Sequence, residues 1–178
     1  NDGWNVLACC RHPQSAMALQ AIAAAHDNVK IHALDVGNFA QIDALALQLK
    51  HESIDLLLNN AGVYPASSFG DTNYDEWAGG FKINSMAPLK MAEAFVQHIS
   101  RSQLKKIATL SSKMGSIDDN TSGENYSYRA SKAAVNMVMK SLSIDLSPYG
   151  ISVVTLHPGW VQTDMGGSNA LINTQTSV

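Results

Sequence analysis

The sequence predicts an α/β fold: a doubly wound parallel sheet with helices on both faces. Two observations predict it. Short apolar runs of strand length alternate with longer segments whose apolar residues recur at helical spacing. Residues suited to binding or catalysis (Arg11, Asp35, Asn60, Ser112 and Pro158) stand where those short runs end. In an open parallel sheet, ligands sit beyond the carboxyl ends of the strands, and right-handed crossovers make the arrangement doubly wound.

Residues 4–10 (WNVLACC) are the first apolar run, with Arg11 at its end. Pro13 suits a helix start, where its missing N–H would have no partner. Ala16, Leu19, Ile22 and Ala23 then recur at helical spacing until Asp27 and Asn28. Residues 29–34 (VKIHAL) are a second strand, closed by Asp35. Asn38 suits the N-cap of the next helix, whose apolar face carries Phe39, Ile42, Leu45 and Leu49. Residues 54–58 are apolar without alternation, as in a strand covered on both faces, and NNAG follows at 59–62. Residues 64–73, rich in Ser, Pro, Gly and Asp, read as loop. A helix is expected over 74–100, with Gly79 and Gly80 out of character inside it. Each glycine costs about 1 kcal/mol in a helix interior, so a kink or a close approach by another segment is expected there. Residues 105–111 (KKIATLS) are the next strand. A loop over 115–125 leads to a helix over 126–146, stopped by Pro148 and Gly150. Residues 151–156 (ISVVTL) are the last strand, ended by HPG at 157–159.

The totals narrow the class. A length of 178 residues suits one domain, and 46% hydrophobic against 15% charged residues can build a core, which excludes a disordered tail. The net charge of −3, without a basic stripe, excludes nucleic acid as a partner. No apolar run reaches the length of a membrane span, and no signal peptide is read at the start. The adjacent Cys9 and Cys10 are too strained to bridge each other. They read as buried thiols of a reducing compartment, with the cytoplasm expected.

Tyr128 and Lys132 are four residues apart on one helix, so their side chains share a face. An ammonium beside a phenol stabilises the phenolate and lowers the phenol pKa, which suits proton transfer near neutral pH. Alone, the pair reads better as an exposed helix face with an ordinary lysine; its neighbours reverse that. Ser111 and Ser112 end a strand upstream, sixteen residues separating Ser112 from Tyr128. A hydroxyl there can hydrogen-bond a carbonyl oxygen as it gains charge; the plainer reading is turn chemistry. Tyr126 is a rival phenol, but six residues from Lys132 it lies on another face. A hydrolase fits poorly, because no G-x-S-x-G elbow is present. Without H-E-x-x-H among the six histidines, no metal site is expected, and His157 reads as a packing residue.

These residues together resemble a known family. NNAG at 59–62, Ser112, YRASK at 128–132 and PGWVQTDM at 158–165 stand in the order found in the short-chain dehydrogenases/reductases. SSKMGSI, YSYRASKAAVNM and LHPGWVQTDMGG are similar to the C-factor-like and sniffer-like carbonyl reductase branch. The resemblance covers essentially the whole chain and implies a Rossmann-like, dinucleotide-binding domain over 1–178, in part. It implies that Tyr128 is the catalytic acid/base, and that Lys132 lowers its pKa and binds the nicotinamide ribose. Ser112 would polarise the substrate carbonyl. Asn84 would support a water chain, or else be structural. Asp35 would bind the adenine amino group, or else be a turn aspartate. Asn60, Ala61 and Gly62 would line the adenosine. Thr163 would contact the carboxamide, beside a wall of Pro158, Gly159 and Val161. Where an NAD(H) enzyme keeps a carboxylate for the ribose 2′-hydroxyl, this chain has Cys10 and Arg11. A guanidinium pairs with a 2′-phosphate, so NADP(H) is favoured over NAD(H).

The family also opens with a strand and a Gly-rich turn that holds the pyrophosphate. Here the sequence starts at Asn1-Asp2-Gly3-Trp4, which resembles the end of the helix after that turn. About two dozen residues of an ordinary βαβ pattern are missing, as is the end of the family's chain. The expectation is a partial chain lacking the first strand, with exposed strand edges. The leading function is NADP(H)-dependent reduction of an aldehyde, ketone or quinone to an alcohol. The rivals are an inactive signalling or interaction protein of the same fold, or a fragment unable to bind coenzyme. Apolar residues spread around the 126–146 helix suggest burial on two sides. The resemblance implies packing against its copy in a homodimer or homotetramer.

Overall fold

Apolar runs and capped helical segments build the architecture in the expected order. The computed structural model describes residues 3–178; Asn1 and Asp2, expected at a helix end, lie outside the described residues. The order is β1 (Val6–Cys10), α1 (Met17–Ala25), β2 (Val29–Ala33), α2 (Phe39–Gln48), β3 (Leu56–Asn59), β4 (Ser67–Ser68) and β5 (Asp71–Thr72). Then follow α3 (Tyr74–Phe81), α4 (Ala87–Ser100), β6 (Lys106–Leu110), α5 (Tyr126–Leu146), β7 (Ser152–Leu156) and α6 (Thr174–Ser177). Local chemistry sets several boundaries. The Asn38 side chain caps α2 by accepting from the Gln41 amide, and Asn73 caps α3 through the amides of Asp75 and Glu76. Gly150, at φ 71°, closes the turn after α5. The 64–73 segment, expected to be loop, contains the small antiparallel hairpin β4–β5.

The protein is α/β, with parallel strands flanked by helices. The strands form two parallel sheets. β1 pairs with β2, Val6 opposite Val29. β3, β6 and β7 pair in that order, with Leu58 opposite Ala108 and Ala108 opposite Val154. β1 and β3 share no ladder. Each therefore keeps one unpaired edge among the described residues, the open edges expected of a sheet short of a strand.

The core lies between the β3–β6–β7 sheet and a layer of α2, α4 and α5. It contains Ile42, Phe95, Ile99, Ile107, Val135 and Met139. Burying each such side chain contributes about 1.5–3 kcal/mol. The absence of alternation over residues 54–58 suggested that both sheet faces are covered. Burial instead alternates along β3: Leu57 is buried, whereas Leu58 is 51% exposed, and Val154 and Leu156 on the same sheet face are also exposed. α1 packs on β2, apart from the main layer, and has no buried residue. The expected burial of Cys9 and Cys10 is corrected likewise. Cys9 is exposed and Cys10 half-buried, because β1 has a neighbour on one edge only.

The expected helix over 74–100 is continuous but widened. α3 runs into α4 through a π turn, Lys82–Met86, a rare form associated with functional sites. Of the two glycines before it, Gly80 marks a close approach. A Cβ on Gly80 would lie 2.5 Å from Pro65 Cγ, so the loop after β3 presses on the helix there. Nothing in the structure explains Gly79.

Candidate active site

β6 ends at Leu110 and delivers two serines with different fates. The Ser111 hydroxyl is buried and donates to Asn136 Oδ1 at 2.6 Å, anchoring the strand end to α5. Ser112 caps a short 3-10 turn, its Oγ accepting from the Met114 amide at 3.1 Å. It also lies near enough to the Tyr128 phenol to lower its pKa. Gly115 ends that turn against α5. A Cβ there would lie 2.7 Å from the backbone carbon of Lys132, so only glycine lets the turn approach so closely. Sequence reading treated Gly115 as mere loop; its spacing from Ser112 carried no signal of this contact.

α5 supplies the other two members. Tyr128 is 8% exposed and Lys132 5% exposed, on the helix's buried face. Lys132 Nζ lies 5.6 Å from the Tyr128 ring centre and donates to the Leu110 carbonyl at 2.8 Å. Ser112, Tyr128 and Lys132 are thus brought together, while Tyr126 stays partly in solvent. The electrostatics differ from the expectation that the ammonium lowers the phenol pKa. Burial dominates and holds the Tyr128 phenol above its ordinary value, with Ser112 pulling it down and Tyr64 pushing it up. Burial likewise lowers Lys132 to about 8. A phenol that stays protonated at neutral pH is a proton donor.

The π turn carries Asn84, which is 2% exposed. Its Oδ1 accepts from the Val63 amide and its Nδ2 donates to the Val63 carbonyl, both at 2.9 Å. Nδ2 also donates to Ser131 Oγ at 3.0 Å. Asn84 therefore clamps the loop after β3 onto α5. Ser131, which no spacing in the sequence singles out, is the receiving group, and Ser85 Oγ adds a bond to its carbonyl. The clamp holds Tyr64 so that its ring centre lies 4.3 Å from that of Tyr128.

The remaining predicted residues stand at strand ends. Arg11 follows β1 and is exposed. Asp35 follows β2, and its Oδ1 accepts from the Gly37 amide at 2.8 Å in the turn that follows. Asn60 and Ala61 are exposed after β3, and Gly62 is half-buried. Pro158, Gly159 and Val161 are half-buried after β7. The exposed Thr163 uses its hydroxyl to accept from the Gly166 amide. No hydrogen bond joins Arg11 or Thr163 to the Ser112–Tyr128–Lys132 group among the described residues. His157 is exposed and not packed; its Nδ1 accepts from the Lys113 amide at 3.4 Å.

A short chain dehydrogenase family profile matches residues 1–171. The chain belongs to the short-chain dehydrogenase family. That family is one of oxidoreductases. This short-chain dehydrogenase is 45% identical to C-signal of Myxococcus xanthus over 126 residues, 70% of this chain and 76% of the relative. Its fold matches carbonyl reductase Sniffer of D. melanogaster with a TM-score of 0.90 at 37% identity, covering 95% of this chain and 75% of that one. It matches an NADPH-bound carbonyl reductase from chicken fatty liver with a TM-score of 0.91 at 35% identity, covering 98% and 76%. No helix among the described residues is long and apolar enough to cross a membrane.

Does the site suit a nicotinamide coenzyme? Lys132 is a buried ammonium with three donors and one protein acceptor among the described residues, the Leu110 carbonyl. A ribose diol would supply the missing acceptors. Gly62 lies beside it: a Cβ there would sit 3.3 Å from Asn84 Oδ1 and 3.9 Å from Lys132 Nζ. The residues at this end fit the coenzyme.

Proposed function

We propose that this protein reduces the carbonyl of an aldehyde, ketone or quinone to an alcohol using NADP(H). The observation that carries the reading is the convergence of Ser112 and Lys132 on the buried Tyr128 phenol. The coenzyme, when bound, supplies the hydride to the carbonyl carbon. The chain's own residues do the rest. Ser112 donates a hydrogen bond to the carbonyl oxygen as it gains negative charge. Tyr128 delivers the proton to that oxygen, and Lys132 stabilises the phenolate left behind. Lys132 would also hold the nicotinamide ribose, with Asn60, Ala61 and Gly62 along the adenosine and Asp35 at the adenine. Pro158, Gly159, Val161 and Thr163 would bound the carboxamide. Arg11, exposed and without an acidic neighbour in sequence, favours NADP(H) over NAD(H) through the 2′-phosphate. Asn84 is read as a clamp for the loop at Val63.

We read residues 1–178 as part of one dinucleotide-binding domain, working in the cytoplasm as a homodimer or homotetramer. A signalling protein without turnover would need no buried lysine facing a phenol, since such a cation is costly to keep. The test is NADPH oxidation by the protein, in the length its gene encodes, with a panel of aldehydes, ketones and quinones. Tyr128→Phe should lower the rate by about 10² to 10⁴-fold; equal rates would remove Tyr128 from the mechanism.

A further inference from the structure

We infer that Arg129 is a positioning residue for Tyr128: its guanidinium clasps a left-handed turn over Gly123, Glu124 and Asn125 and so fixes the first turn of α5, where the phenol stands. The inference rests on the reading of Tyr128 as the proton donor and adds a residue that acts through it. Tyr128 is the third residue of α5. The first turn of a helix has amides without partners inside the helix, and a side chain at the N-cap position ordinarily satisfies one of them. Here Asn125 stands at that position, and its side chain makes no capping bond. Helix ends without such support fray, and Tyr128 would fray with this one.

Two other residues hold the helix start. Ser67, in the β4–β5 hairpin, takes the Asn125 amide on its carbonyl and the Ser127 amide on its hydroxyl, both at 2.9 Å. Arg129 holds the chain before them. Its Nε donates to the carbonyls of Gly123 and Glu124, both at 3.1 Å, and its Nη2 donates to Ser122 Oγ at 2.9 Å. Those carbonyls converge where three residues in succession are left-handed: Gly123 at φ 68°, Glu124 at 54° and Asn125 at 52°. Glycine adopts that conformation freely, whereas a residue with a Cβ is strained in it. Glu124 and Asn125 therefore hold strain that the guanidinium bonds offset. A cation in the first turn also opposes the helix dipole, so the clasp, and not the helix, accounts for an arginine there. Lysine is a point donor without the planar fork and cannot span the same acceptors. The guanidinium also acts on Tyr64, whose ring packs on Tyr128: burial raises the Tyr64 phenol pKa and the Arg129 charge lowers it.

The test uses the protein in the length its gene encodes. Its variants are Arg129→Ala, Arg129→Lys, and Arg129→Ala combined with Glu124→Gly and Asn125→Gly. Amide hydrogen exchange is followed by mass spectrometry without coenzyme. The kcat and KM are measured with NADPH and the panel of aldehydes, ketones and quinones. Arg129→Ala should speed exchange about tenfold at residues 122–129 and leave β6 and α4 as they were. It should lower kcat about 10- to 100-fold, the effect of misplacing a reacting group by about 1 Å, with KM for the carbonyl little changed. Arg129→Lys should behave like Arg129→Ala. The two glycines should restore most of the protection and most of kcat, because glycine stays left-handed without a clasp. If the parent reduces no carbonyl but the exchange pattern appears, the clasp stands and the proposed reaction falls. Unchanged exchange in Arg129→Ala, faster exchange along the whole chain, a lower Tm with kcat intact, full activity in Arg129→Lys, or no recovery with the glycines would each overturn the inference.

Discussion

Lys132 carries a penalty that its proposed role explains. Its ammonium is buried with one carbonyl partner, and its pKa falls from the ordinary 10.5 to about 8. Between pH 8 and 10.5 the unfolded chain binds a proton that the folded chain has released. Stability from this group therefore rises with pH across that window and is lowest below pH 8, where both states are charged. Lys132→Met keeps the volume and removes the charge. It should stabilise the protein at pH 7 by about 1–2 kcal/mol, the relief of burial less the lost bond to the Leu110 carbonyl. The gain should fade as pH rises through the window. Urea unfolding at several pH values checks this, and reductase activity should be lost in the same variant. The Tyr128 and Lys132 pairing was legible from spacing only together with Ser112 and the order of the motifs. The raised phenol was not, because burial is a property of the packed environment.

At the scale of elements, two contacts set the site's geometry. One is the press of the Ser112 turn on α5 at Gly115; the other is the Asn84 clamp in the π turn. Gly115→Ala would place a methyl 2.7 Å from the Lys132 backbone, where neither segment can yield without shifting the other. Overpacking of this kind costs about 1–3 kcal/mol. The expected result is a lower Tm and a weaker kcat, since Ser112 moves away from Tyr128; an unchanged Tm would mean the turn is free to relax. Sequence reading found the helix over 74–100 but not its π turn. One extra residue in a turn leaves the apolar spacing nearly intact, so periodicity hardly registers it. The glycine pair did signal a contact, and Gly80 meets Pro65 as a close approach would require.

At the scale of the molecule, α5 is buried along one side only within this chain. Val135, Met139 and Leu142 face the core, while Met137 is 67% exposed and Ile144 61%. Beside it, a cavity of about 440 Å³ lies between α5 and the exposed Ile117, lined also by Met137 and Lys140. Such a face suits the proposed homo-oligomer. Met137→Glu would place a charge on it. Light scattering should then report single chains where the parent gives a multiple; single chains for the parent itself would count against the assembly.

What the sequence determined by itself is local and periodic. Helix faces, caps, strand runs and the order of motifs come from spacing, and they placed β1, β2, β3, β6, β7, α5 and the residues at the strand ends. Tertiary structure decided which of those residues meet. It separated Ser111 from Ser112, tied Asp35 to the Gly37 amide and split the parallel strands into two sheets. It also left one face of β3 and β7 open and set Tyr64 against Tyr128. Those outcomes depend on contacts between segments far apart in the chain, whose burial and close approach no local pattern encodes.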